Sequence, residues 1–209
     1  MNLLKTYAPF RDFYEKSGGT AGEEEPAAKA AVASEATPEE QIEAAHSAIQ
    51  VALKADLLLR VLAQSPAFFE RLIVELLVAM GYGGSHDRAA RSLGKSGDGG
   101  VDGVIDEDRL GLDRIYIQAK RYARHVSVGR PEMQAFVGSL VGLGATKGVF
   151  VTTSGFSAPA TEYVRHIPQR VILIDGERLA ELLVEHDVGV RVSHTISVKR
   201  MDEDFFVED

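Results

Sequence analysis

The sequence predicts an α/β fold: a mixed sheet with helices on both faces and a helical arm ahead of it. Three observations carry that expectation. Gly148–Thr153 is a continuous apolar run of the kind that forms a buried strand. Strand-like and helix-period segments alternate from Pro131 to Glu185. Val101–Ile105 and Arg114–Lys120 read as neighbouring strands joined by the acidic turn Asp106–Asp113.

The elements follow in order. Residues 1–14 carry Leu3, Leu4, Tyr7, Phe10, Phe13 and Tyr14, which either dock as a short helix or form a mobile terminus. Residues 17–37 are rich in Gly, Ala, Glu and Ser with little apolar periodicity, so 1–37 is expected to be a flexible or partly docked segment. Thr37 and Pro38 start a helix, with Glu39 and Glu40 in the first turn where the helix dipole favours acids. Ile42, Ala45, Ile49, Ala52, Leu53 and Leu57 keep helical spacing to about Leu62, a connector over 38–64. Ser65 and Pro66 start a second helix, with Phe69, Leu72, Ile73, Leu76, Leu77 and Met80 on one stripe and Gly81 closing it.

After the two strands, a helix runs from Pro131 through Phe136 and Leu140 to Gly144. Ser157–His166 is a helix, Arg170–Ile174 a strand and Gly176–Glu185 a helix; Val192–Val198 reads as a last strand. The main domain is thus expected over 65–200, with an acidic tail at 201–209.

Bulk properties narrow the function classes. Hydrophobic residues make up 45% of the 209, enough for one core. The absence of cysteine excludes a disulfide framework and thiolate metal sites, and suits a reducing cytoplasm. No signal peptide is expected at Met1–Phe10, and no apolar run is long enough to span a bilayer. The net charge of −8 is unevenly spread: 66–200 holds 17 basic and 16 acidic residues. Within it, 114–131 carries Arg114, Lys120, Arg121, Arg124, Arg130 and His125 with no acid, a stretch able to contact phosphates in an otherwise acidic protein.

The chemistry concentrates in Gly97-Asp98-Gly99-Gly100-Val101-Asp102-Gly103 and Tyr116-Ile117-Gln118-Ala119-Lys120. Side chains alternate along a strand, so Gln118 and Lys120 share one face and Ala119 takes the other. Hydrolysing a phosphodiester at neutral pH calls for a hard cation that stabilises phosphate charge and acidifies water. Asp102 offers a carboxylate, Gln118 a neutral oxygen and Ala119 its backbone carbonyl. Mg²⁺ keeps several waters, so so few protein oxygens suffice, and Mn²⁺ can substitute. Lys120 can orient the attacking water and counter developing charge. The six histidines show no metal-ligand spacing.

The runs SGDGGVDGVI, IYIQAKRY, GVFVTTSGFS and VILIDGERLAELL, in this order, resemble the catalytic domain of Mrr-type restriction endonucleases. That family belongs to the PD-(D/E)xK nuclease superfamily, in the variant where glutamine replaces the second acid. The resemblance covers roughly residues 66–200 and implies a restriction-endonuclease-like mixed sheet flanked by helices. By position, Asp102 resembles the metal-binding aspartate, Gln118 the motif glutamine and Lys120 the catalytic lysine. An acid from the preceding helix often joins the site in the superfamily. Glu70 sits at the edge of the apolar stripe, within AFFERLIVELL, while Glu75 falls further toward solvent.

Asp98 either supports these ligands or holds the glycine turn. Ser96, Arg121, Tyr122 and Arg124 are expected to touch the DNA backbone. The hydroxyls of Thr152, Thr153 and Ser154 either meet phosphate or cap the next element.

Full-length members often carry a winged-helix recognition domain ahead of the nuclease. Only 37 residues precede the connector, which implies a recognition domain that is shortened, absent or supplied by another subunit. The reading is a Mg²⁺-dependent DNA endonuclease, a type IV or type II-like deoxyribonuclease acting in restriction, with possible substrates including modified DNA. Cutting both strands of a duplex with one site per chain implies a homodimer, for which the helix at 38–62 has apolar residues to spare. Two alternatives stand beside it: a non-catalytic DNA-binding or assembly module with the same fold, and a repair or junction-processing nuclease.

Overall fold

A computed structural model of the chain describes residues 36–83, 100–108 and 110–207. The proposed N-terminal docking segment, Ser96 and Asp98 lie outside them. The chain divides into two compact units, Met1–Glu43 and Ala44–Asp209.

The described elements are α1 (Pro38–Ala63), α2 (Pro66–Ala79), β1 (Gly103–Asp106), β2 (Arg114–Lys120), α3 (Arg130–Gly142), β3 (Lys147–Thr152), α4 (Ala158–Arg165), β4 (Arg170–Ile174) and α5 (Gly176–Glu185), followed by one 3-10 turn, Glu203–Phe206, in the acidic tail. Helix starts follow local chemistry. Thr37 and Glu40 form a reciprocal cap on α1: the Thr37 N–H donates to Glu40 at 2.6 Å and the Glu40 N–H to Thr37 Oγ1 at 3.3 Å. Ser65, Ser157 and Asp175 each accept a backbone N–H at the start of α2, α4 and α5.

The sheet has the order β1-β2-β3-β4. β1 and β2 are antiparallel, with Gly103 opposite Ile117, while β2–β3 and β3–β4 are parallel. One face of the sheet packs against Leu57 and Val61 of α1, the apolar stripe of α2 and Leu179, Leu182 and Leu183 of α5. Against the other face lie Met133, Phe136 and Leu140 of α3 and Ala160 of α4. Gly148 permits this second contact, because a Cβ there would come within 2.8 Å of Phe136 and 2.9 Å of Leu140.

Two expectations are corrected. β1 begins at Gly103, not Val101, because Asp102 turns its side chain onto β2. Val192–Val198 forms no strand: it has no regular structure, and Val192, Ile196 and Val198 are exposed. Alternating residues make a strand only where a partner edge takes up their backbone groups, and β4 pairs only with β3. Among the described residues, no helix is long and apolar enough to cross a membrane.

Candidate active site

The site forms where β2 ends. Ile115, Ile117 and Ala119 pack in the core beneath α2, and Tyr116 packs in the other. Alternation therefore puts Gln118 and Lys120 on the face of Tyr116, as the spacing predicts. Gln118 is buried, with 6% of its surface exposed.

Asp102 lies just ahead of the first residue of β1 and anchors to β2 three times. Its N–H donates to the Ile117 carbonyl at 2.8 Å. Its Oδ2 accepts the Ala119 N–H at 2.8 Å and the Gln118 Nε2 at 2.6 Å. A carboxylate only accepts, so the Gln118 amide must present its nitrogen to Asp102. Both bonds fall on Oδ2, and Oδ1 carries neither. Gln118 therefore orients Asp102, a role the sequence reading did not give it alongside its expected oxygen ligation.

Glu70, one turn into α2, faces this group. Burial, and then the negative charge of Asp102, raise its carboxyl above the ordinary value of 4.5, while Lys120 and then Arg71 pull it down. Glu70, Val74, Asp102, Gly103, Ile117 and Ala119 line a narrow cleft. Glu75 is exposed and lines none of it. Two carboxylates that repel one another beside a lysine form a donor set that fits a hard divalent cation. Among the described residues, no group of three or more His, Cys, Asp or Glu is poised to hold a metal, so such a cation would retain water as part of its shell.

The expected DNA-contacting residues separate. Arg121 turns inward: its Nη1 donates to the Leu62 carbonyl at 2.6 Å, at the end of α1, and its buried Nε has no partner. That geometry ties the connector to the strand carrying Lys120. Tyr122 is half-buried against the second core, and its carbonyl accepts the Thr153 hydroxyl at 2.7 Å. Arg124 is exposed and lines an open cleft with Lys54, Thr153, Ser154 and Asp175. Lys54 was not singled out from the sequence. It lies 70 positions from Arg124, and no local pattern links the two.

Residues 61–183, more than half of the chain, match the Mrr catalytic family, described as restriction endonuclease. EcoKMrr, a type IV methyl-directed restriction enzyme of Escherichia coli strain K12, is 42% identical over 170 residues, covering 81% of this chain and 54% of that protein. The chain therefore spans about half the length of that relative. Two solved structures also align. The MspJI restriction endonuclease in complex with a 27-mer oligonucleotide has a TM-score of 0.47 and 26% identity, over 64% of this chain and 31% of that one. The DNA modification-dependent restriction endonuclease AspBHI has a TM-score of 0.48 and 21% identity, over 66% and 36%.

Proposed function

The chain belongs to the Mrr-type restriction endonuclease family, and from that membership and the site geometry we propose that it hydrolyses phosphodiester bonds of double-stranded DNA with a divalent cation, Mg²⁺ or Mn²⁺. The observation that carries the proposal is that Asp102, just ahead of β1, takes the Gln118 amide and the Ala119 N–H of β2 while Glu70 of α2 lies within electrostatic reach of Asp102 and Lys120.

Glu70, Asp102 Oδ1, the Gln118 amide oxygen and the Ala119 carbonyl are the groups that would hold the cation. When bound, the cation supplies charge stabilisation at the scissile phosphate and lowers the pKa of an attacking water. Asp102 is held ready by its two donors, so its orientation costs no rearrangement. Lys120 positions the water and counters negative charge on the phosphate. Arg124 and Lys54 contact the DNA backbone outside the cleavage site; Ser96 lies outside the described residues. Tyr122 supports the same strand end; Asp98 lies outside the described residues.

The finer assignments are part of the same proposal. Restriction of modified DNA is the biological role, and the cytoplasm is its compartment. A second copy supplies the second cut, and a recognition domain or subunit chooses the target. The runner-up is a DNA-binding module without turnover, favoured by the neutral Gln118 in an acid's position.

The test is cleavage of supercoiled plasmid, methylated and unmethylated, by wild type and Lys120→Ala, with Mg²⁺, Mn²⁺ or chelator. Nicking or linearisation is expected with metal, falling by at least about 100-fold in the variant. Folded wild type that binds both DNAs and cuts neither would support the runner-up instead.

A further inference from the structure

Thr152, Thr153 and Ser154 are 0%, 1% and 8% exposed. With Gln118 they are the buried polar side chains among the described residues. Buried hydroxyls need partners, and here the partners surround Lys120. Thr152 lies opposite Lys120 in the parallel register. The ladder is loosening there: the Thr153 N–H reaches the Lys120 carbonyl at 3.4 Å. The Thr152 hydroxyl takes up the slack, donating to the same carbonyl at 2.8 Å. At the next residue, the Thr153 hydroxyl donates to the Tyr122 carbonyl at 2.7 Å, two positions beyond Lys120.

The proton count gives this cluster a direction. A threonine hydroxyl has one proton, and that of Thr152 is committed to Lys120. The 3.0 Å contact between Thr152 Oγ1 and Ser154 Oγ must therefore have Ser154 as donor. The Ser154 N–H adds a second donor to Thr152 Oγ1 at 3.2 Å. Thr152 thus donates once and accepts twice, and the chain Ser154 to Thr152 to Lys120 carbonyl polarises each bond in turn. α5 closes the turn from outside. The Gly176 N–H donates to the Ser154 carbonyl at 2.8 Å, and a Cβ on Gly176 would lie 2.4 Å from the Thr153 carbonyl. Hydroxyls so fully engaged are poorly placed to meet a phosphate.

We propose that Thr152, backed by Ser154, is a positioning residue for Lys120, fixing the last peptide of β2 so that the ammonium reaches the cleavage site. This rests on the catalytic reading of Lys120. A strand end frays, and reacting groups tolerate little misplacement: about 1 Å can cost about 100-fold in rate.

The test compares Thr152→Val, which keeps the shape and removes the hydroxyl, with Thr152→Ser, which keeps the hydroxyl, in metal-dependent plasmid cleavage. Thr152→Val is expected to lower kcat about 10- to 100-fold with KM for DNA unchanged, and Thr152→Ser to restore most of it. Ser154→Ala, which spares the Lys120 bond, should fall between and serves if the valine variant does not fold. A purely structural role would lower the melting temperature yet leave kcat intact at temperatures where the variant is folded. Folded Thr152→Val with wild-type kcat, beside an inactive Lys120→Ala, overturns the positioning role alone. Active Lys120→Ala overturns the catalytic reading beneath it.

Discussion

Replacing Asp102 separates its mechanical role from its chemical one. In Asp102→Ala, Gln118 Nε2 and Ala119 N lose the acceptor they share at 2.6 and 2.8 Å. Gln118 is buried, so water does not readily replace that acceptor. Each stranded donor costs about 1–3 kcal/mol, and removal of the charge that opposes Glu70 offsets part of the total. A net loss of about 2–4 kcal/mol follows from these terms. In a chain of this size that lowers Tm by about 5–15 °C. Asp102→Asn keeps one oxygen for both donors and turns its amide nitrogen toward the cleft. It should stay within about 1 kcal/mol of wild type, yet cut no DNA, because the oxygen facing the cation is gone. The assay is thermal and urea unfolding in chelator, which removes stabilisation by bound metal, alongside plasmid cleavage. Alanine and asparagine variants that melt together would refute the claim that these two bonds anchor the site. An active asparagine variant would refute the assignment of Asp102 to the cation.

Two further predictions concern the neighbouring groups. Gln118→Glu removes the donor to Asp102 and sets a carboxylate against it, so its metal-free Tm should drop and Mg²⁺ should recover more of it than in wild type; equal Mg²⁺ responses in melting curves would count against the contact. Glu70 keeps its proton to higher pH when folded than when unfolded, so its contribution to stability falls as pH rises from the unfolded carboxyl value through the raised one. Glu70→Gln should therefore gain Tm relative to wild type across that rise while losing cleavage, and a pH-independent difference between the two would show that Glu70 is not held in the cleft.

Much of the fold is legible in local chemistry. Ser65, Ser157 and Asp175 precede apolar stripes, and each caps the helix it announces. Arg114–Lys120 and Arg170–Ile174 are strands with the expected bounds, because each finds a partner edge: β2 pairs with β1 and β3, and β4 with β3. Val192–Val198 has the same alternation and is no strand, since pairing is supplied by a neighbour and not by the segment itself. Within the site, motif and helical spacing led to Asp102, Gln118 and Lys120 and to Glu70 ahead of Glu75; in the structure Gln118 bonds Asp102, and Glu70 lines a cleft with it while Glu75 does not. The direction of the Gln118 amide was not, because it follows from which atom Asp102 presents. Arg121 is the clearest limit: its place in a basic run points to DNA, while the fold brings the Leu62 carbonyl within 2.6 Å.

By itself, then, the sequence determined the order of the helices and of the four paired strands, the helix boundaries and the motif that marks the family. These depend on neighbours a few positions apart, or on a motif whose spacing survives in one dimension. Only the tertiary structure decided which oxygen of Asp102 is occupied, which way Arg121 turns, and that the Thr152 hydroxyl holds Lys120 across 32 positions of chain. Hydrogen bonds act over about 3 Å, and which groups lie that close is set by how the strands and helices pack.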